Sequence, residues 1–364
     1  MAWTEKYVTS GAAGGGDGSS GSPWTLAEAI TNAAAGQRIN VKADATYANT
    51  TTDRTFVNAG STSTAIWWRG YNTTIGDIDA DNSLAKPYIT FTTGYVIVSG
   101  IGQWFSNLRF EGANTATAEG VFRVNAPDSK IWRCRFEGTA ADPDCIPLIL
   151  GAAADRSLVH SCYMKANAAA DCCQAVDDTV LFGCVFEGGA DGIRVVGGPS
   201  AVCNSIFINQ AGHAINVVST VGMLIANNSI YSPGGDGVRM SVQANTVQVC
   251  NNIFENCAYG VNSTIGDSSL AFLFQNAFFN NTSGETLNVL EYANDDEASF
   301  GHKTETSSPF TNAAGGDFSL VSGALSKAGG MPGAFENTSV IGYLDNGAVQ
   351  RQEPAGGGLR VIGG

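Results

Sequence analysis

One phrase recurs along this chain. "AVCNSIFINQAGHAINVV" (201–218), "LIANNSIYSPGGDGVRMSV" (224–242) and "TVQVCNNIFENCAYGVN" (246–262) each run from a polar bend through bulky residues to a turn and a second apolar stretch. Fainter copies precede them as "FSNLRFEG" (105–112), "IWRCRFEG" (131–138), "VHSCYMKA" (159–166) and "LFGCVFEGG" (181–189), and "FLFQNAFFNNT" (272–282) follows. Aligning the last bulky residue gives Phe110, Phe136, Met164, Phe186, Phe207, Tyr231, Phe254 and Phe279, spaced 21–28 residues apart. A unit this short cannot bury its own apolar face. Stacking neighbours buries it, so the period predicts a solenoid of strands and turns. With 45 glycines and 14% charged residues in 364, the composition suits short strands joined by tight turns.

Each repeat also carries a second strand: "GVFRV" (120–124), "GIRVV" (192–196), "AINVV" (214–218), "GVRMS" (237–241) and "GVNST" (260–264). Coils of this length with short strands resemble the right-handed parallel β-helix of pectate-lyase-like proteins, an all-β fold. Three residues before the aligned position stand Asn204, Asn228, Asn251 and Asn276, with Asn107 in the first coil. This row resembles the asparagine ladder at one bend of that fold, where Asn tolerates a left-handed backbone and its amide satisfies inward-facing backbone groups. Two residues after the asparagine position, Val185, Ile206, Ile230, Ile253 and Phe278 are expected to form an aliphatic core stack.

Three segments are expected: an N-terminal segment with a capping helix (1–50), the β-helix (51–290) and a closing segment (291–364). In "SPWTLAEAITNAAAGQRINV" (22–41), Thr25 and Glu28 form a capping box, Leu26, Ala29 and Ile30 make an apolar face, and Gly36 is expected to stop the helix. The segments "SSPFTNAAGGDFSLVSGALSKAGG" (307–330) and "IGYLDNGAVQ" (341–350) resemble the C-terminal close of β-helix proteins.

The formal net charge of −14 argues against a nucleic-acid groove or an anionic-membrane binder, both of which need clustered Lys and Arg. No stretch approaches the ~20 apolar residues that span a bilayer. The opening "MAWTEKYV" lacks the basic-then-apolar layout of a secretory leader, so synthesis and assembly in a cytoplasm are expected, with extracellular placement the alternative. Nine cysteines read as buried free thiols. Cys134, Cys162 and Cys184 recur two residues before the aligned position, Cys203 and Cys250 four before it.

The chemical candidates lie before the second strand. Asp191, His213, Asp236 and Tyr259 share one position in successive coils, and Arg194, Asn216, Arg239 and Asn262 share another three residues on. In register, Asp191 and Asp236 would stand two rungs apart, about 9–10 Å, with His213 between them. That is close to the ~6.5–9.5 Å carboxylate separation of inverting glycosidases. The plainer reading makes each Asp a turn residue before Gly, neutralised by its neighbouring Arg on a solvated face. Family patterns favour the plainer one. Arg-x-Pro-x-x-Arg of the pectate lyases is absent, and of the polygalacturonase motifs only Asp177-Asp178, "GHA" (212–214) and "GVRM" (237–240) echo. "NDDEASFGH" (294–302) groups acids without the spaced oxygens of a recognised Ca²⁺ loop, so no cofactor is expected. Trp67-Trp68 could stack on a sugar, with one of the pair facing the core.

The expectation is therefore a non-enzymatic structural or adhesive protein. The sequence resembles β-helix proteins of bacteriophage particles (head decoration, fibre or tail spike), a resemblance that implies partnership with other virion proteins or with itself, most simply as a trimer. A cell-surface glycan is a further expected partner. The alternative is a secreted polysaccharide lyase or glycoside hydrolase using Asp191, His213 and Asp236 with Arg194 and Arg239.

Overall fold

The computed structural model describes residues 2–49, 53–61, 63–81, 83–113, 120–176, 178, 179–198, 200–219, 222–241, 247–265, 271–287, 289, 301–327, 332–334, 341–343 and 346–349. They fall into two compact units, Met1–Thr179 and Val180–Gly364. Each is a stack of coils, and each coil is three short strands that pair in parallel with their counterparts in the next coil. This is the solenoid that the period predicted, in the parallel β-helix form that the resemblance implied. The three resulting sheets are called walls A, B and C here, in chain order within a coil.

In the first unit one coil comprises Gln103–Ser106 (wall A), Arg109–Gly112 (wall B) and Phe122–Val124 (wall C). The register stacks Phe105 on Ile131 and Val159, Phe110 on Phe136 and Met164, and Phe122 on Leu148 and Cys173. All of these are fully buried. Phe110 and Phe136 lie parallel, centroids 5.5 Å apart, and Phe122 meets both at steep angles. Burying a side chain of this size stabilises by ~1.5–3 kcal/mol, and the ring geometry adds ~0.5–1.5 kcal/mol per pair. The parallel ladder already begins at Thr4–Val8, which pairs with Gln37–Lys42, on either side of the capping helix in the N-terminal segment.

The capping box forms as expected. Thr25 Oγ1 accepts from the Glu28 N–H (3.2 Å), Glu28 Oε2 accepts from the Thr25 N–H (2.8 Å), and Leu26, Ala29 and Ile30 are buried. The helix spans Leu26–Asn32 and ends where Ala33 turns extended; Gly36, at φ +79°, turns the chain into the next strand instead of stopping the helix.

In the second unit the register corrects the sequence alignment. Wall B pairs Phe207 with Ile230, Phe254 and Phe278, all buried, whereas Tyr231 and Phe279 point outward. Choosing the last bulky residue therefore slipped two coils by one position, which in a strand exchanges the two faces. For the same reason Val185 and Ile206, placed in the expected core stack, are only half-buried.

The expected asparagine row is in fact two adjacent ladders. Asn204 and Asn251 hold the left-handed bend position (φ +53° and +59°), shared with Asn227 and Gln275. Asn228 and Asn276 hold the next position, facing inward, shared with Asn252. There each side chain accepts the backbone N–H of the coil before it. Ser205 N–H donates to Asn228 Oδ1 (2.9 Å), Asn228 N–H to Asn252 Oδ1 (2.9 Å), Asn252 N–H to Asn276 Oδ1 (3.0 Å), and Asn276 N–H to His302 Nδ1 (3.2 Å). The amide nitrogens donate to the Val202, Ile225 and Val249 carbonyls at 2.8–3.0 Å. Cys134, Cys162 and Cys184 occupy the equivalent place in earlier coils. All nine cysteines are free, eight buried and Cys203 half-buried.

Of the closing segment, Lys303–Thr304 extends the second unit's wall B, and residues 310–320 and 346–349 lie along its outside. Phe310–Asn312 and Asp317–Leu320 form an antiparallel pair. Phe310, Phe318, Leu320 and Val349 then pack with Ile253 and Ala277 and against Ile206, Ile208 and Tyr231. Asn346 Nδ2 donates to Asn251 Oδ1 (2.9 Å), and Ala348 N–H to Ser229 Oγ (3.0 Å). Gly347, at φ +90°, passes so near that a Cβ would stand 2.7 Å from Ser229 Oγ.

Candidate functional site

The wall C residues chosen from sequence come together in the expected register. Arg194 pairs with Asn216, Asn216 with Arg239, and Arg239 with Asn262. What the sequence did not reveal is how Asp191, His213 and Asp236 are spent. Asp191 Oδ1 accepts the His213 N–H (2.8 Å) and its Oδ2 accepts Asn216 Nδ2 (2.7 Å). Asp236 repeats the arrangement one repeat later, with the Tyr259 N–H on Oδ1 (3.3 Å) and Asn262 Nδ2 on Oδ2 (2.9 Å). Asp191 is 9% and Asp236 5% exposed. Neither stands on a solvated face, and neutral amides, rather than the arginines expected, supply these donors.

His213 is the middle member of the same device. The Asp236 N–H lies 2.9 Å from Nδ1, and Arg239 Nη1 lies 2.7 Å from Nε2. Both neighbours are donors, and a neutral ring keeps one proton, so the two contacts are hydrogen bonds in alternate tautomers. In the tautomer protonated at Nδ1, that proton faces Asp236 Oδ2 at 3.5 Å. Burial, the largest influence, holds the His213 pKa below its usual value; Asp191 and Asp236 pull it up and Arg239 pushes it down again. The ring is therefore neutral near pH 7, with both nitrogens turned to protein partners.

The glycine that follows Asp191, Asp236 and Tyr259 has a spatial reason. A Cβ on Gly192 would stand 2.7 Å from the Phe207 ring, one on Gly237 2.4 Å from Phe254, and one on Gly260 2.4 Å from Phe278. The coil whose successor carries Ile230 instead of a phenylalanine has Ala214 there. "Asp-Gly" thus records the close approach of wall C to the aromatic stack of wall B. An acid or base in catalysis must offer a lone pair or proton to a substrate. This row offers its own to the next coil.

Of the other sequence candidates, Asp177 and the acids of 294–300 lie outside the described residues. His302, which ends that acidic stretch, is the last rung of the inward ladder, its pKa lowered chiefly by burial. Among the described residues no group of three or more His, Cys, Asp or Glu is placed to hold a metal ion. Trp68 faces the core, 2% exposed, and Trp67 faces outward beside Trp3 and Trp132, as the pair's alternation implied. The sequence reading missed those partners. Trp104 follows Trp67 by 37 residues, outside the 21–28-residue period, and the partner of Trp104 in the next coil is Lys130, so the period alone could not find Trp104 and Trp132.

No curated protein matches the sequence. Residues 148–295 match a family described as "Right handed beta helix region". Among solved structures the chain is similar to the pectate lyase Pel9A, at 14% identity and TM-score 0.69, covering 97% of this chain and 98% of that one. It is also similar to an alginate lyase from Paenibacillus sp. str. FPU-7, at 16% identity and TM-score 0.54, covering 72% and 95%. At these identities the likeness is one of fold. The fold is the right-handed parallel β-helix.

Proposed function

We propose that this protein is a non-catalytic, adhesive β-helix whose ligand is a polysaccharide. The observation that carries the non-catalytic part is the commitment of Asp191, His213 and Asp236 to backbone and amide partners of the neighbouring coil. The ligand class is carried over from the pectate lyase and the alginate lyase whose fold the chain shares. The expected place of display is a virus particle, as the sequence resemblance implies, with copies of this chain or other virion proteins as partners.

Incubation of the full chain with polygalacturonate and alginate tests the activity. Co-sedimentation with a polysaccharide and no new chain ends in the product is the expected result; rapid depolymerisation would replace this reading with the lyase or hydrolase. Display is tested by quantitative mass spectrometry of purified particles. A fixed stoichiometry with a major capsid or tail protein is expected, and absence from particles would overturn that part.

A further inference from the structure

The first unit carries two outward-facing rows on wall A. One runs Glu5, Arg38, Trp67, Trp104, Lys130, Leu158 and the other Tyr7, Asn40, Arg69, Ser106, Trp132, His160, each residue in register with the next. Asn40, Arg69 and Ser106, in the middle of the second row, are buried, so its surface is offered by Tyr7, Trp132 and His160. Outward positions of a sheet ordinarily carry small polar side chains. Here four indoles gather, for Trp3 folds over the wall to within 5.7 Å of both Trp67 and Trp104. Trp132 lies 5.5 Å from Trp67 and 6.4 Å from Trp104, and the His160 ring is parallel to Trp132 at 6.1 Å. All five rings are half-buried, so each retains surface open to solvent.

Cations are interleaved with the rings. Arg38 and Arg69 lie 5.0 and 5.2 Å from the Trp67 ring centroid, and Lys130 lies 4.7 Å from that of Trp104. Arg38 is paired with Glu5, and Arg69 with Asp79 from the short helix Asp77–Ala80. With both arginines so paired, Lys130 is the exposed cation of the rows, in a chain of net charge −14. Tyr7, which begins the second row, also lines an open cleft of about 440 Å³ with Lys42, Tyr71 and Thr73.

We infer that this wall is the polysaccharide-binding surface, and that it takes a chain bearing carboxylates. The inference rests on the reading given under Proposed function and assigns it a site. Indole rings accept the C–H face of a sugar ring, and guanidinium, ammonium and hydroxyl groups take its carboxylates and hydroxyls. Trp and Arg together are also the side chains most enriched where binding energy concentrates. Successive rungs stand about 4.8 Å apart, comparable to the advance of one sugar residue, so a chain along the coil axis meets a new rung with each sugar. Exposed Lys130, beside carboxylates already paired with Arg38 and Arg69, favours an acidic chain over a neutral one.

The test titrates the full chain with polygalacturonate and with dextran, reading tryptophan emission and calorimetric heat, for wild type, Trp132→Ala and Lys130→Glu. Thermal melts of each variant report folding separately. Polygalacturonate is expected to bind with a change in indole emission, dextran not to. Each substitution is expected to weaken binding at least about tenfold, and Lys130→Glu also to flatten its salt dependence. If Trp132→Ala melts early, Lys130→Glu decides alone, because that side chain is exposed. Wild-type affinity retained in a folded Lys130→Glu variant would overturn the site and leave the adhesive reading standing. Equal binding of dextran would overturn the acidic ligand class. Binding of neither polymer would overturn the inference and the adhesive reading together.

Discussion

At the scale of single residues, the second unit is held by side chains that take over backbone hydrogen bonding at its corners. Asn252 is the plainest case. Its Oδ1 accepts both the backbone N–H and the Nδ2 of Asn228, and its own Nδ2 reaches the Ile225 carbonyl and Asn276. Asn252→Leu strands these buried groups at ~1–3 kcal/mol each and is expected to lower stability by about 3 kcal/mol or more. Asn251→Leu forces a branched residue to φ +59° and loses the Asn346 contact, at a smaller cost of about 1–3 kcal/mol. Denaturant melts that rank the two the other way would reassign the ladders. Telling the neighbours apart was beyond the sequence, because both positions of the corner favour Asn for different reasons, one for φ and one for inward polarity.

His213 gives a pH signature at the same scale. Its folded pKa is depressed, so below the unfolded value of about 6.5 the unfolded chain takes up a proton that the folded chain refuses. Its contribution is constant above that value, and stability is lost as pH falls from there toward the folded pKa. His160 and His302 act in the same sense, both lowered chiefly by burial, while Glu255, raised by burial, opposes them. The informative quantity is therefore a difference. Between pH 7 and pH 5 the melting temperature of His213→Gln is expected to fall less than that of wild type. Parallel curves would mean that His213 is not held neutral.

At the scale of elements, the coil is an agreement between walls. Gly237 is glycine because Phe254 comes forward from wall B, and Ala214 stands where the facing residue is Ile230. Gly237→Ala is expected to cost ~1–3 kcal/mol through overpacking, and Phe254→Ile in the same chain to recover part of it. Additive losses in a double-mutant cycle would contradict the contact. The period, the strands and the capping box were legible in the sequence, since apolar spacing and cap chemistry are local. The face of Tyr231 and of Phe279 was not. A strand three residues long alternates too briefly to fix its own register, and the packing of coil on coil decides it.

At the scale of the whole molecule, one chemical vocabulary serves structure and function, and the sequence separates them only in part. Asp, His and Asp at a constant spacing read as a catalytic row or, more plainly, as turn residues; their burial and their bonding to the next coil support a structural role. The tryptophans of wall A passed nearly unnoticed because their neighbourhood is assembled across coils. The central claim is that the Asp191–His213–Asp236 row serves the wall and performs no chemistry. Its most direct test is the Asp191→Ala, Asp236→Ala double variant, assayed beside wild type for thermal stability and for polysaccharide binding and cleavage. A lower melting temperature, unchanged binding and cleavage by neither protein are predicted. Cleavage by wild type that disappears in a variant of undiminished stability would contradict the account.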